Sequence, residues 1–129
     1  MRSFLILILL AGVQFSFVTE QLDLFKRVEN SFTLGNARQL EDLLNSSVEL
    51  ELPGEVEGIY SRSQSIAILN RFFDRFPPSA FKIVHSGHSA SGSRFAVGDY
   101  LTESDRTFRV TIYAKLQGSS YRIQEIEFE

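Results

Sequence analysis

Four strand-like blocks fill the carboxy-terminal part of this chain, and they constrain its fold more than any other feature. Only short turn sequences rich in Gly, Ser and Asp separate them, and short links require antiparallel neighbours. The pattern therefore predicts a curved antiparallel sheet wrapped onto the helices that precede it. The predicted strands are Phe81–Ala90, Arg94–Glu103, Thr107–Gln117 and Tyr121–Glu129.

Two helices are predicted ahead of these strands. Apolar residues recur at steps of three and four from Glu20 to the stop at Gly35, which is the period of a helix with one buried stripe. Asn36 offers an N-cap oxygen with Gln39 three residues later, which predicts a short second helix. The predicted buried residues are Leu22, Phe25, Val28 and Phe32 in the first helix and Leu40, Leu43 and Leu44 in the second.

A short strand and a third helix complete the predicted order. Residues 48–52 alternate apolar and acidic side chains before Pro53-Gly54, which predicts an edge strand whose glutamates discourage pairing with another chain. After a loop containing Gly58, Ser61 and Gln64 form a capping box. The helix that they open is predicted to bury Ile66, Leu69, Phe72, Phe73 and Phe76 and to end at Pro77-Pro78.

The first 18 residues have the pattern of a secretory signal peptide. A basic tip at Arg2 precedes about ten mostly apolar residues, Phe4–Val13, which is too short to span a membrane. We therefore expect one mature domain over residues 19–129, exported to the periplasm or the extracellular space, with no stable membrane anchor. The chain has no cysteine, which excludes disulfides and thiolate chemistry.

Charge and motifs narrow the range of functions. Without the leader the chain carries 12 basic and 16 acidic residues, 12 − 16 = −4, and such a surface repels phosphate backbones. We therefore expect no nucleic-acid partner. No phosphate-binding loop, serine-hydrolase motif or calcium-loop spacing occurs, so neither a cofactor nor a metal is predicted.

The order α-α-β-α-β-β-β-β resembles the cone-shaped α+β fold of the nuclear transport factor two-like, or cystatin-like, superfamily. The segments LPGEVEGIYSRSQSIAILNRFFDRFPP, FKIVHSGHS, FAVGDYLT and IQEIEFE are similar to a family of small exported bacterial proteins, domain of unknown function 4783. This resemblance spans nearly the whole mature chain and implies the fold and an envelope address, but no activity. Because the outer sheet face of this superfamily often pairs with another copy, the resemblance also implies a homodimer as one possible partner arrangement.

Strand parity predicts which side chains enter the cone. In the strand Thr107–Gln117 the inward face is predicted to be Phe108, Val110, Ile112, Ala114 and Leu116. The same alternation points Phe81, Ile83 and His85 inward in the first long strand, and Phe95, Val97, Asp99 and Leu101 in the second. A three-residue turn at Ser91–Ser93 then sets His85 directly opposite Asp99.

The candidate cavity gives two functional hypotheses. Its predicted lining is Tyr60, Phe73, His85, Asp99, Val110 and Ile112. The first hypothesis is a non-enzymatic domain that binds a small molecule, a peptide or a protein. The alternative is an isomerase or lyase of the ketosteroid-isomerase or dehydratase type, with His85 and Asp99 as the candidate catalytic pair. A buried His–Asp pair also satisfies two polar groups without any chemistry.

Overall fold

The computed structural model describes residues 24–129, so the predicted signal peptide and Leu22 lie outside the described residues. Helix α1 covers residues 24–34, and a 3-10 helix follows at Ala37–Leu40. The remaining elements are β1 Leu44–Leu52, β2 Val56–Ser61, α2 Arg62–Arg75, β3 Pro78–His88, β4 Arg94–Thr102, β5 Thr107–Gln117 and β6 Ser120–Phe128. No helix within this range is long and apolar enough to span a bilayer.

The six strands form one open sheet in the order β2-β1-β6-β5-β4-β3. All neighbours are antiparallel except β1 and β6, which run parallel. The three antiparallel pairings that the short links predict, from β3 to β6, are therefore confirmed. The helices cover one face of the sheet, which we call the inner face, and leave the other, the outer face, uncovered. The predicted α+β fold class is confirmed.

Helix α2 is positioned by the signals found in the sequence. The Ser61 hydroxyl accepts a hydrogen bond from the Gln64 backbone amide, and the Gln64 side chain accepts one from the Ser61 amide. The Asn70 carboxamide oxygen accepts a hydrogen bond from the Ala37 backbone amide at 2.8 Å, which ties α2 to the 3-10 helix. The buried side chains of α2 are Ser65, Ile66, Ile68, Leu69, Phe72 and Phe73.

Aromatic rings fill the space between the helices and the inner face. Phe72 lies at the centre, with ring centroids 4.6 Å from Phe128 and 5.3 Å from Phe108. Burial raises the pKa of Tyr100, whose hydroxyl donates to the Phe76 carbonyl at 2.6 Å. The other rings in this cluster belong to Phe32, Phe73, Phe76 and Phe81.

The second predicted helix is shorter than expected. Asn36 does cap it, but its side chain accepts from the Arg38 amide, and the helix contains only four residues. Leu44 is not helical, because it begins β1 and lies beside Ile123 of β6. In α1 the buried side chains include Leu24, Val28 and Phe32, whereas the predicted Phe25 is only partly buried.

The predicted edge strand is not at an edge. Residues 48–52 belong to β1, which lies between β2 and β6. The edge is β2, in the segment predicted as a loop, and Pro53-Gly54 is the turn that joins β1 to it. The prediction failed because alternation of apolar and charged residues marks any strand with one covered face, whether or not it has neighbours on both sides.

The face predicted for β4 was also wrong. Its inward residues are Ala96, Gly98, Tyr100 and Thr102, so Phe95, Val97, Asp99 and Leu101 lie on the outer face. The β3–β4 loop holds five residues, because His88 pairs with Arg94, and a bulge between Ile83 and His85 shifts the register once more. A register shift of one residue moves every side chain of a strand to the opposite face of the sheet. In β5, Leu116 was predicted inward but is 46% exposed.

Candidate functional site

The predicted cavity is occupied by the core. Phe73, Val110 and Ile112 are buried within the hydrophobic cluster, and Tyr60 packs against the same cluster from β2. Phe32 and Phe73 have ring centroids 5.3 Å apart, so large side chains occupy the place where a ligand was expected. These four residues stabilise the fold by burying apolar surface.

His85 and Asp99 do not form the predicted pair. His85 is exposed on β3 opposite Val97, and its ring centroid lies 5.5 Å from that of Phe95. Asp99 lies opposite Lys82 and accepts a hydrogen bond from Arg109 Nε at 2.9 Å. Both side chains are on the outer face, because the bulge between Ile83 and His85 exchanges the faces of the strand on its two sides.

The outer face exposes an apolar patch over β4 and β5. Tyr113 is 39% exposed and lies beside Phe95, with Val97 two residues further along β4, while Leu101, 42% exposed, lies beyond the Asp99–Arg109 ion pair. His85 continues this patch onto β3. No element in the described part of the chain covers it, so we take the outer face as the candidate functional site.

The other half of the outer face is acidic. Glu49 lies directly beside Glu125, and Glu51 lies between Glu57 and Glu127. Like charges directly opposite each other on neighbouring strands are destabilising. None of these carboxylates has an ion-pair partner in residues 24–129, where the ion pairs are Arg27–Asp42, Arg75–Glu55 and Arg109–Asp99.

Crowding changes the proton affinity of two of these groups. Burial, followed by the charges of Glu49 and Glu51, raises the pKa of Glu125. A hydrogen bond with Glu129, followed by burial and the charge of Glu51, raises the pKa of Glu127. The ionised forms of both carboxyls are therefore less favourable in the folded chain than in the unfolded chain.

The stability of the fold should consequently increase on mild acidification. A group whose pKa is raised in the folded state destabilises the fold as the pH rises through that pKa. We therefore expect a higher melting temperature at about pH 5 than at about pH 7.5. Thermal unfolding at low protein concentration measures this. The opposite dependence belongs to Asp42, whose pKa is lowered by its hydrogen bond with Arg27, so its contribution is lost at lower pH.

A double variant tests the assignment of this pH dependence. In Glu125→Gln/Glu127→Gln the melting temperature should be higher at neutral pH and should change less between the two pH values. The matched control is Glu41→Gln/Glu103→Gln, two exposed glutamates away from the acidic half, which should keep the wild-type pH dependence. An unchanged pH dependence in the first variant would contradict the assignment.

Two shallow depressions adjoin strand β6. One of about 330 Å³ on the outer face has Glu49 and Glu125 on one side and Tyr113 and Lys115 on the other. The other, of about 300 Å³, lies where β6 begins and is lined by Arg27, Asp42, Tyr121 and Arg122. Among residues 24–129 no group of three or more His, Asp or Glu side chains could hold a metal ion.

Comparison with known proteins decides the family. The family model described as domain of unknown function (DUF4783) matches residues 25–129. This chain belongs to the DUF4783 family. The resemblance predicted from its segments is therefore confirmed. No curated protein matches the DUF4783 chain.

Solved structures agree with this assignment. A DUF4783 family protein from Bacteroides ovatus has a TM-score of 0.71 at 25% identity, over 78% of this chain and 89% of that chain. Another, from Bacteroides uniformis, has a TM-score of 0.73 at 22% identity, over 81% and 94%. An NTF-2 like protein of unknown function from Silicibacter pomeroyi reaches 0.60 at 16% identity, over 90% and 97%. The predicted nuclear transport factor two-like fold is thus confirmed for the DUF4783 domain.

Sequence reasoning missed the acidic half of the outer face as a unit. Its signal was present as two Glu-x-Glu repeats, Glu49 with Glu51 and Glu125 with Glu127, each alternating with buried residues. The repeats are 74 or more residues apart in the chain (125 − 51 = 74), and only the parallel pairing of β1 with β6 brings them together.

Proposed function

We propose that this DUF4783 domain is an exported, non-enzymatic protein-interaction module that pairs with a second copy of itself through the outer face of its sheet. The observation that carries this proposal is the uncovered apolar patch of Phe95, Val97 and Tyr113 on β4 and β5, in which Tyr113 is about two-fifths exposed. Contiguous apolar surface rimmed by polar residues is typical of protein interfaces.

Two features of the chain support the other parts of the proposal. The signal-peptide pattern of residues 1–18 supports export. The filled interior favours an interaction surface over a small-molecule pocket, because ligand sites are usually open concave cavities. The isomerase or lyase alternative is less well supported, since its proton-handling pair required His85 and Asp99 to meet inside the cone.

Sedimentation of the mature chain tests the pairing. We expect the apparent mass to rise from monomer to dimer with concentration, because face-to-face contact removes the apolar patch from water. Tyr113→Asp should place a charge in that patch and keep the chain monomeric. The matched control Leu34→Asp adds the same charge at a residue of α1 that is 66% exposed and remote from the sheet face. It should associate like the wild type.

Two outcomes would contradict the proposed pairing. A wild-type chain that stays monomeric up to about 1 mM, where a complex of about 4 kcal/mol would be half formed, overturns the proposal. Unchanged association of Tyr113→Asp would show that the chains meet through a different surface.

A further inference from the structure

The open sheet has two edge strands, β2 and β3, which differ in length. An edge strand presents unpaired backbone amides and carbonyls that can pair with a strand of another chain, and short edge strands resist such pairing. Strand β2 has six residues, whereas β3 has 11 and carries Lys82 as its only Lys, Arg, Asp or Glu side chain. The edge of β3 is therefore the part of the sheet most open to strand addition.

The middle of β3 has a composition that favours strand pairing. Residues 80–86 read AFKIVHS, with one charge and no proline. Six- or seven-residue segments of high β-propensity and low charge are prone to add strands when they lie at an edge. Val84 is 53% exposed, at the bulge between Ile83 and His85. The bulge bends the edge only locally, so the residues before it need another form of protection.

A carboxylate of α1 supplies that protection. Glu29 Oε2 accepts a hydrogen bond from the Ile83 backbone amide at 3.3 Å, between residues 54 positions apart in the chain. Ile83 lies opposite Gly98 of β4, yet its amide bonds to α1, so this amide belongs to the free edge of β3. Glu29 takes part in none of the ion pairs of residues 24–129, so no cation of that range neutralises its carboxylate through an ion pair.

Packing of α1 along β3 holds Glu29 in this position. Phe32 follows Glu29 by three residues, which places both on one side of the helix. Phe32 is fully buried, and its ring centroid lies 4.9 Å from that of Phe81. Phe81 and Ile83 are two residues apart on β3, so the two helix positions match two successive positions on the same side of the strand. A strand arriving at this edge would have to displace the carboxylate.

We propose that Glu29 is an edge cap, a side chain that occupies the Ile83 amide and repels the carbonyl oxygens of an approaching strand, so that β3 does not pair with β3 of a second copy. Pairing through the outer face leaves this edge exposed in each copy, so the inference does not depend on the proposed function. Without the cap, we expect two copies to join their sheets edge to edge.

Amide hydrogen exchange at low protein concentration tests the cap directly. Glu29→Ala should raise the exchange rate of the Ile83 amide by about tenfold or more, because the amide loses its acceptor. Glu29→Gln keeps a side-chain oxygen that can accept, and should raise the rate less. The matched control is Glu41→Ala, at an exposed glutamate, which should leave the rate unchanged. An unchanged rate in Glu29→Ala, in a variant that circular dichroism shows to be folded, overturns the proposal.

Light scattering and sedimentation measure the consequence for association. At concentrations at which the wild type has reached a constant mass, Glu29→Ala should form larger particles, with an apparent association constant at least about tenfold above that of the wild type. Glu29→Gln should form fewer, and Glu41→Ala should behave like the wild type. All three variants lose one negative charge, so the comparison removes the effect of net charge. Particles of wild-type size in Glu29→Ala overturn the protective role.

A second substitution locates the contact. Val84→Lys places a charge on the same edge strand, and lysine on an edge strand discourages pairing. The double variant Glu29→Ala/Val84→Lys should return to wild-type size while its Ile83 amide still exchanges fast, even though its net charge is closer to zero. Larger particles that persist in the double variant overturn β3 as the contact. A monomeric wild type contradicts only the pairing through the outer face, because the cap is measured by differences between variants.

Discussion

Replacing Phe72 with alanine should lower the free energy of unfolding by about 3–5 kcal/mol. Phe72 is fully buried, and deleting its ring removes dispersion contacts as well as the apolar surface that it buries. A domain of this size has about 5–15 kcal/mol of stability in total, so the loss is a large part of it. The rings around it belong to Phe73, Phe76, Tyr100, Phe108 and Phe128.

Urea unfolding monitored by circular dichroism measures this loss. Phe72→Leu keeps an apolar side chain of intermediate volume and should lose less than the alanine variant. Leu34→Ala, at an exposed residue of α1, should change the free energy of unfolding by no more than about 0.5 kcal/mol. A loss below about 1 kcal/mol for Phe72→Ala would mean a loosely packed interior, and it would restore the hypothesis of a ligand cavity inside the cone.

Gly98→Ala should lower the free energy of unfolding by about 1–3 kcal/mol, an unusual result for the addition of one methyl group. Gly98 lies on the inner face of β4, and a Cβ atom there would come within 2.7 Å of the Phe81 ring and 2.8 Å of the Lys82 carbonyl oxygen. The ring can move, but the carbonyl belongs to the backbone of β3. The two strands must therefore separate locally, and their contact with the core weakens.

Gly58→Ala is the matched control for this variant. Gly58 lies in β2, and an added Cβ atom would meet only the Tyr60 side chain, at 3.5 Å or more. This substitution restricts the unfolded chain without a clash, so we expect no loss and a gain of up to about 1 kcal/mol. Equal effects of the two substitutions, measured by urea unfolding, would show that β3 and β4 are not closely packed at Gly98.

Both results bear on function because they report how full the interior is. A tightly packed interior leaves the outer face as the surface through which this domain can contact other molecules. The acidic half of that face is costly within the isolated chain, since its carboxylates lie side by side on neighbouring strands.

Local signals predicted much of the secondary structure. The bounds of β5 and the capping box at Ser61 and Gln64 were predicted residue for residue, because alternation and capping depend on neighbours in the chain. The end of α2 before Pro77-Pro78 follows from the geometry that proline imposes on the residue before it. Strand β2 was missed because its alternating pattern includes Gly58 and is only six residues long.

The candidate site was less predictable because it depends on register. A loop two residues longer than expected placed His85 opposite Val97 instead of Asp99, and a bulge between Ile83 and His85 put these two residues on opposite faces of β3. Each offset is a small local change, yet it is carried to every later pair of the two strands. The prediction of a cavity failed for a related reason. The hydrophobic pattern predicts that Phe73, Val110 and Ile112 point inward whether the interior is hollow or filled.

The amino-acid sequence by itself determined that helices pack on an antiparallel sheet. The signals for this are hydrophobic periodicity and turn residues, and both depend only on a few neighbouring positions in the chain. Only the tertiary structure decided which strands became neighbours, and therefore that Glu49 and Glu51 lie beside Glu125 and Glu127. The parallel pairing of β1 with β6 joins segments from opposite ends of the domain. Its free energy comes from packing the whole sheet onto the helices, which no local pattern encodes.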